Sequence, residues 1–249
     1  MKIDVLLLPG QPYDPARSVC VIVDVLRASS SIVTMLDRGA ECVAAAADVE
    51  DALRLHRRLS SYILCGERDG LPPKGFDYGN SPAEFSRLDL REKAAILATS
   101  NGTRILTALA DRSPAVVVGS LLNRTAAARA AVQIATERGL DVALVCSAAY
   151  GGSGFVLEDA LGAGAIADAA GRLPGGPELS DAARFAAGAF RAASAGLPEA
   201  LRSAYHAREL VQAGLGQDVE YCARLDVSEA APVLERGEDG VLLLRRWGS

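Results

Sequence analysis

The stretch VCVIVDVLRASSSIVTMLDRGAECV, residues 19–43, carries the fold signal of this chain. Val19–Asp24 is an apolar, β-branched run closed by a carboxylate, and Arg27–Ser30 is a small polar turn. Ser30–Leu36 has helical spacing, and Glu41–Ala45 opens the next apolar run. Short β-branched runs alternating with longer helical patterns are the repeating unit of a layered α/β fold with a largely parallel sheet.

Outward from this unit the alternation continues. Further strands are expected at Ile3–Leu8, Tyr62–Cys65, Ala94–Ala98, Ala115–Val118 and Val142–Cys146. Further helices are expected at Val49–Leu59, Thr103–Ala110, Arg124–Arg138 and Leu157–Ala170. Leu173–Pro177 reads as a linker, so a lobe boundary falls near residues 172–178 of a single domain spanning 1–249. Beyond it, Glu178–Ala195 and Pro198–Ala213 read as helices and Gly240–Arg245 as a final strand. Residues 141–166, DVALVCSAAYGGSGFVLEDALGAGAI, echo residues 19–43 faintly, which admits two related lobes in an α/β/α arrangement with a parallel or mixed sheet.

The chain has 249 residues, half of them hydrophobic, enough to bury a substantial core. Its net charge of −5 makes a general nucleic-acid partner a poor fit, because phosphate backbones need a basic face. A small anion stays open, since a metal and a few local cations reverse the field inside one cleft. The apolar stretch before Pro9-Gly10 is far shorter than a signal sequence or a membrane span, so a cytoplasmic protein with no membrane partner is expected. Five cysteines without a CxxC pair suit reduced, buried thiols in that setting. Of the two histidines, His56 and His206, neither has a partner histidine at metal-ligand spacing, which argues against zinc or Ser-His-Asp hydrolysis. His56 reads as a surface residue of an Arg-rich helix.

Chemistry collects just after the expected strands, where open α/β sheets bind ligands. Asp24 ends a buried strand and needs a metal or hydrogen bonds to offset its burial. Arg27 offers a planar fork to an oxyanion, and Ser29-Ser30 open a helix whose free N–H groups favour anions. A helix cap with a salt bridge explains the same residues. An aspartate after a strand is also the pattern of haloacid-dehalogenase phosphatases, but Leu26 stands where their second aspartate falls.

The long loop GERDGLPPKGFDYGNSP, residues 66–82, carries Glu67, Asp69 and Asp77, hard oxygen donors suited to Mg²⁺, with the cations Arg68 and Lys74. Ala98-Thr99-Ser100-Asn101-Gly102-Thr103 lets backbone N–H groups approach an oxyanion, though an ordinary turn explains it too. Gly119-Ser120-Leu121-Leu122-Asn123 is too common a pattern to stand alone and reads first as capping by Asn123 of the helix after it. The Gly/Ser-rich loop after Cys146 leads to Glu158-Asp159, a pair that either complements a helix dipole or reaches a metal.

Taken in order, VDVLRASSSI, GERDGLPPKGFDYGNSP, TSNGT, GSLLN and LEDALGAGAI resemble the motifs of the 2-phosphosulfolactate phosphatase family, over about residues 1–245. The resemblance implies an α/β/α fold and Mg²⁺-dependent hydrolysis of 2-phosphosulfolactate to sulfolactate and phosphate, a step of coenzyme M biosynthesis. Ser29, Ser30 and Ser100 stand where the family often has threonines, and the Cys146 loop is richer in Gly and Ser.

Asp24, Arg27 and Lys74 are the expected catalytic residues, with Asp24 as nucleophile, base or metal ligand. Arg27, Ser29, Ser30, Arg68, Asn80, Ser100, Asn101, Gly102, Thr103, Ser120 and Asn123 are expected around the phosphorylated substrate. Asp24, Glu67, Asp77, Glu158 and Asp159 are expected around Mg²⁺. The alternatives are a phosphatase of another small 2-hydroxy-acid phosphate and a non-catalytic anion-binding protein. A homo-oligomer is left open.

Overall fold

The computed structural model describes residues 1–8, 10–68, 70–147, 154–237 and 239–248. Its central strand, β2 (Ser18–Val23), shows why the apolar run has no polar alternation: both faces are covered. Val19, Val21 and Val23 point into one core, and Cys20 and Ile22 into another. Each such valine or isoleucine contributes about 1.5–3 kcal/mol on full burial. The first core is closed by α5 (Arg124–Arg138), α6 (Leu157–Gly171) and α7 (Asp181–Ala193), the second by α1 (Ala28–Asp37) and α4 (Gly102–Leu109). The layers are therefore α/β/α. Alanine and glycine on α6 and α7 permit unusually close packing; a Cβ at Gly164 would collide with the Ala186 carbonyl.

The sheet has ten strands in a mixed, mostly parallel arrangement. One parallel block is β4 (Ile63–Gly66), β5 (Ala94–Ala98) and β3 (Cys42–Ala46), with α2 (Val49–Arg58) packed on it. The other is β6 (Ala115–Gly119), β2, β7 (Asp141–Cys146), β1 (Lys2–Leu6) and β8 (Glu178–Leu179). Between them lies the antiparallel hairpin of β9 (Pro232–Arg236) and β10 (Leu242–Arg246). β10 runs antiparallel to β3, and β9 meets β6 antiparallel through Val117 and Val233. Three antiparallel steps reverse the sense of one block relative to the other. The two blocks thus do not share one carboxyl edge through their pairing, as a single parallel sheet would give. Their strand ends meet by direct contact instead. Gly102, following β5, sits so close to Asp24, following β2, that a Cβ there would lie 2.6 Å from Asp24 Oδ2.

Ala94–Ala98 and Arg124–Arg138 fall where the sequence puts them. Glu178–Ala195 does not form one helix: residues 178–179 first add to β1, and Ser180 then caps α7 through the Ala183 N–H. Pro198–Ala213 divides at the extended Ala204 into α8 (Leu197–Ser203) and α9 (Tyr205–Gln212). β9 and the short helices α3 (Pro82–Phe85) and α10 (Gly216–Cys222) have no counterpart in the sequence reading. Each is too brief to show a period, and β9 opens with a proline. The five cysteines are buried and free. Among the described residues no helix is long and apolar enough to cross a membrane.

Candidate functional site

Asp24 is where the chain leaves β2. Its carboxylate is buried, and Oδ1 accepts the Ala28 N–H at 3.1 Å, capping α1 from the strand side. Ser29 and Ser30 do not present their hydroxyls to a ligand as expected. Ser29 Oγ accepts the Asp24 N–H and donates to the Ile22 carbonyl, while Ser30 Oγ donates to the Val25 carbonyl at 2.8 Å. Buried hydroxyls must be satisfied, and here the turn itself satisfies them.

Arg27 is 4% exposed, which is rare for an arginine and requires partners. Nη1 donates to Asp218 Oδ2 at 2.9 Å and Nη2 to the Gly70 carbonyl at 3.0 Å. Asp218, on α10, also accepts the Ser81 hydroxyl at 2.6 Å and the Ala83 N–H at 3.2 Å. This gives the GNSP segment a division of labour. Asn80 lies buried at the cleft with its Oδ1 unpartnered, Ser81 caps α3 and meets Asp218, and Pro82 occupies the first turn of that helix.

Glu67 staples two loops together. Oε1 accepts the Ser100 N–H at 2.7 Å, and Oε2 accepts the Gly70 N–H at 2.9 Å and the Ser100 hydroxyl at 3.2 Å. Thr103 is likewise committed: its hydroxyl accepts the Thr99 N–H and its own N–H donates to Thr99 Oγ1. The TSNGT turn therefore exposes Ser100 and Asn101 to the cleft while its threonines lock it.

At the start of α6, Asp159 is buried and accepts the N–H groups of Val25 and Ser147 and the Ser147 hydroxyl, at 2.7–3.0 Å. Burial, then the charges of Asp24 and Glu158, push its carboxyl well above the usual range. Burial raises Asp24 as well, against the Ala28 N–H and His206 and helped by Glu67 and Glu158. Glu158 is 1% exposed, and its Oε1 has no hydrogen-bond partner. His206 Nδ1 lies 3.5 Å from that oxygen, within ion-pair range but too long for a well-formed hydrogen bond. Burial lowers the His206 pKa, as does Arg27, but Glu158 and Asp24 outweigh them and leave the imidazole more basic than usual.

These groups frame two adjoining cavities. One, of about 370 Å³, is bordered by Asp24, Arg27, Glu67, Asn80, Ser100, Asn101, His206 and Glu209. The second, of about 320 Å³, shares Leu26, Asn101, His206 and Glu209 with it and adds Ser147, Glu158 and Asp159. Three acidic side chains (Asp24, Glu67, Glu209) and two basic ones (Arg27, His206) border the first among the described residues.

Several expected residues lie elsewhere. Lys74 is exposed on its loop. Asp77 is spent on the Leu64 N–H at 2.8 Å, pinning the loop to β4. Arg68 is exposed and pairs with Glu50 at 2.9 Å, beside a neighbouring cavity that Glu67 and Ser100 also border. Ser120 and Asn123 form a reciprocal cap, and Asn123 Nδ2 donates to the carbonyls of Val118 and Ala230, so both serve the scaffold. Asp69 and residues 148–153 lie outside the described residues.

Sequence reasoning missed His206, Glu209 and Asp218. His206 and Glu209 are three apart on one face of α9, a spacing visible in the sequence, but nothing local ties that helix to the cleft. Asp218 carries no local signal at all. Among the described residues no three His, Cys, Asp or Glu side chains close around a metal. A donor set of one or two carboxylates suits Mg²⁺, which keeps several waters and takes further oxygens from a phosphate.

A family model described as 2-phosphosulpholactate phosphatase matches residues 8–237. The chain is 35% identical to the probable 2-phosphosulfolactate phosphatase of Thermotoga petrophila, over 98% of this chain and 99% of that protein. It is 36% identical to the protein so named in Deinococcus radiodurans, covering 96% and 95%. The Thermus thermophilus protein of that name is 37% identical, covering 98% of each.

Proposed function

Because the chain belongs to the 2-phosphosulfolactate phosphatase family, we propose that it hydrolyses 2-phosphosulfolactate to sulfolactate and inorganic phosphate with Mg²⁺, in a reaction of the coenzyme M biosynthetic type. The observation that carries the reading is the cleft's charge. A phosphate ester bearing a sulfonate and a carboxylate would enter a pocket bordered by Asp24, Glu67 and Glu209, against Arg27 and His206 as the basic side chains among the described residues. A pure anion receptor has no use for that excess of carboxylate. A divalent cation between pocket and substrate removes the conflict.

The cavity-side oxygens that main-chain donors leave for such an ion are Asp24 Oδ2, Glu158 Oε1 and the Glu209 carboxylate, since Asp24 Oδ1 caps Ala28 and both oxygens of Glu67 and of Asp159 accept main-chain N–H groups. When bound, Mg²⁺ supplies Lewis-acid neutralisation of charge on the phosphoryl group. The chain's own groups do the rest. Arg27 uses two of its five N–H donors on Asp218 and Gly70, which fixes the guanidinium plane at the cleft wall for the phosphoryl oxygens. His206, made more basic by Glu158 and Asp24, adds a positive charge where the two cavities join whenever it is protonated. Asp24 acts at the phosphoryl centre as nucleophile, base or metal-binding carboxylate. Asn80, Ser100 and Asn101 line the pocket around the ester.

The test is phosphate release with Mg²⁺ from 2-phosphosulfolactate against 2-phospholactate, which lacks the sulfonate. A kcat/KM at least about tenfold higher for the sulfonate is expected, the scale of one matched charged group. Equal or faster turnover of 2-phospholactate would move the assignment to another 2-hydroxy-acid phosphate. Tight binding of both without phosphate release would make the protein an anion binder.

Arg27→Lys keeps the charge and loses the fork. A fall in kcat/KM of about ten- to a hundredfold is expected, with a folded protein by circular dichroism. Wild-type kcat/KM would remove Arg27 from the site.

A further inference from the structure

We infer that Asp218 is a positioning residue: from the protein interior it fixes the Arg27 guanidinium at the cleft wall and, through Ser81 and Ala83, the loop that brings Asn80 to the same wall. The inference rests on Arg27 holding the phosphoryl group. Asp218 is 1% exposed, and each of its oxygens faces protein donors, Oδ2 the Arg27 Nη1 and Oδ1 the Ser81 hydroxyl and the Ala83 N–H. Such a carboxylate does not meet substrate.

Its contacts nevertheless converge on substrate-facing groups. Arg27 and Asn80 both border the larger cavity, and they come from segments about fifty residues apart that Asp218 ties together from a third. An arginine without this anchor would lose the single orientation in which its N–H groups face the pocket, and side-chain entropy would oppose every bond to the ligand. The Gly70 carbonyl holds the other nitrogen, so the guanidinium is gripped at two points and its plane is set. The pair also keeps the buried arginine neutralised when the pocket is empty of ligand. A purely structural role for Asp218, joining α10 to α3, would use Ser81 and Ala83 and leave the arginine bond incidental.

A double-mutant cycle on the Mg²⁺-supplied enzyme separates these roles. Arg27→Met is expected to lower kcat/KM about a hundredfold, and Asp218→Asn, which keeps an acceptor for Ser81, about tenfold or more. The double variant should fall within about threefold of Arg27→Met alone, because Asp218 acts through the arginine. Inhibition by inorganic phosphate should weaken in Asp218→Asn, as it does in Arg27→Met. Multiplying losses in the double variant, or unchanged kcat/KM and phosphate inhibition in Asp218→Asn beside an impaired Arg27→Met, would overturn the inference. Should Asp218→Asn fail to fold with its arginine unpaired, Arg27→Met/Asp218→Asn against Arg27→Met decides in the same way. Wild-type activity in Arg27→Met would instead overturn the phosphate-site reading, and this inference with it.

Discussion

Asp24→Asn is expected to leave a folded protein whose kcat is lower by about a hundredfold or more, the scale of a positioned acid–base or metal-binding group. Asn keeps the shape and an acceptor for the Ala28 N–H, so the cap on α1 survives while the charge goes. The thermal melt should hold or rise, and the sign follows from the raised carboxyl. Burial, with Glu67 and Glu158 nearby, makes the native state bind a proton that the unfolded chain has released. Stability from this group is full below the ordinary aspartate value of about 3.9 and falls as pH climbs from there through the raised native value. Above that value the ionised carboxylate is a fixed cost, and Asn removes it. The measurement is kcat together with a melt at neutral pH without metal. Near-normal kcat would reduce Asp24 to a helix cap and shift the mechanism to Glu158 or Glu67.

Removing Mg²⁺ should have an effect as large. With EDTA in excess, phosphate release from 2-phosphosulfolactate should fall to about a hundredth or less, and added Mg²⁺ should restore it. A second readout needs no substrate. An ion that binds only the folded protein raises stability by RT ln(1 + [L]/Kd), about 2.7 kcal/mol at a hundredfold excess over Kd. The thermal midpoint should therefore climb with Mg²⁺ in the wild type and lose that dependence in Asp24→Asn. Full turnover in EDTA, or a midpoint indifferent to Mg²⁺, would overturn the metal reading.

The five quoted motifs lie in order along the chain, and family membership confirms their joint reading. The layered α/β fold was equally legible, because Val19–Val23 and its counterparts are buried on both faces and alternate with helices that need one apolar side. Individual roles were less so. Asp77 and Asn123 looked chemical by type, but their oxygens answer main-chain N–H groups a few residues or a strand away. Composition cannot distinguish a carboxylate that faces a ligand from one that satisfies a loop.

Local periodicity and residue chemistry are enough to specify the strand–turn–helix units, the polar turns that end them and the placing of Asp24 and Arg27 in the first of those turns. Which turns meet is set by long-range packing. The antiparallel hairpin between the parallel blocks reverses their pairing, the close contact at Gly102 brings the ends of β5 and β2 together, and α9 and α10 deliver His206 and Asp218 from far along the chain. Charges fixed by such long-range contacts leave no periodic trace in the sequence, since a single buried ion pair constrains two distant positions and nothing between them.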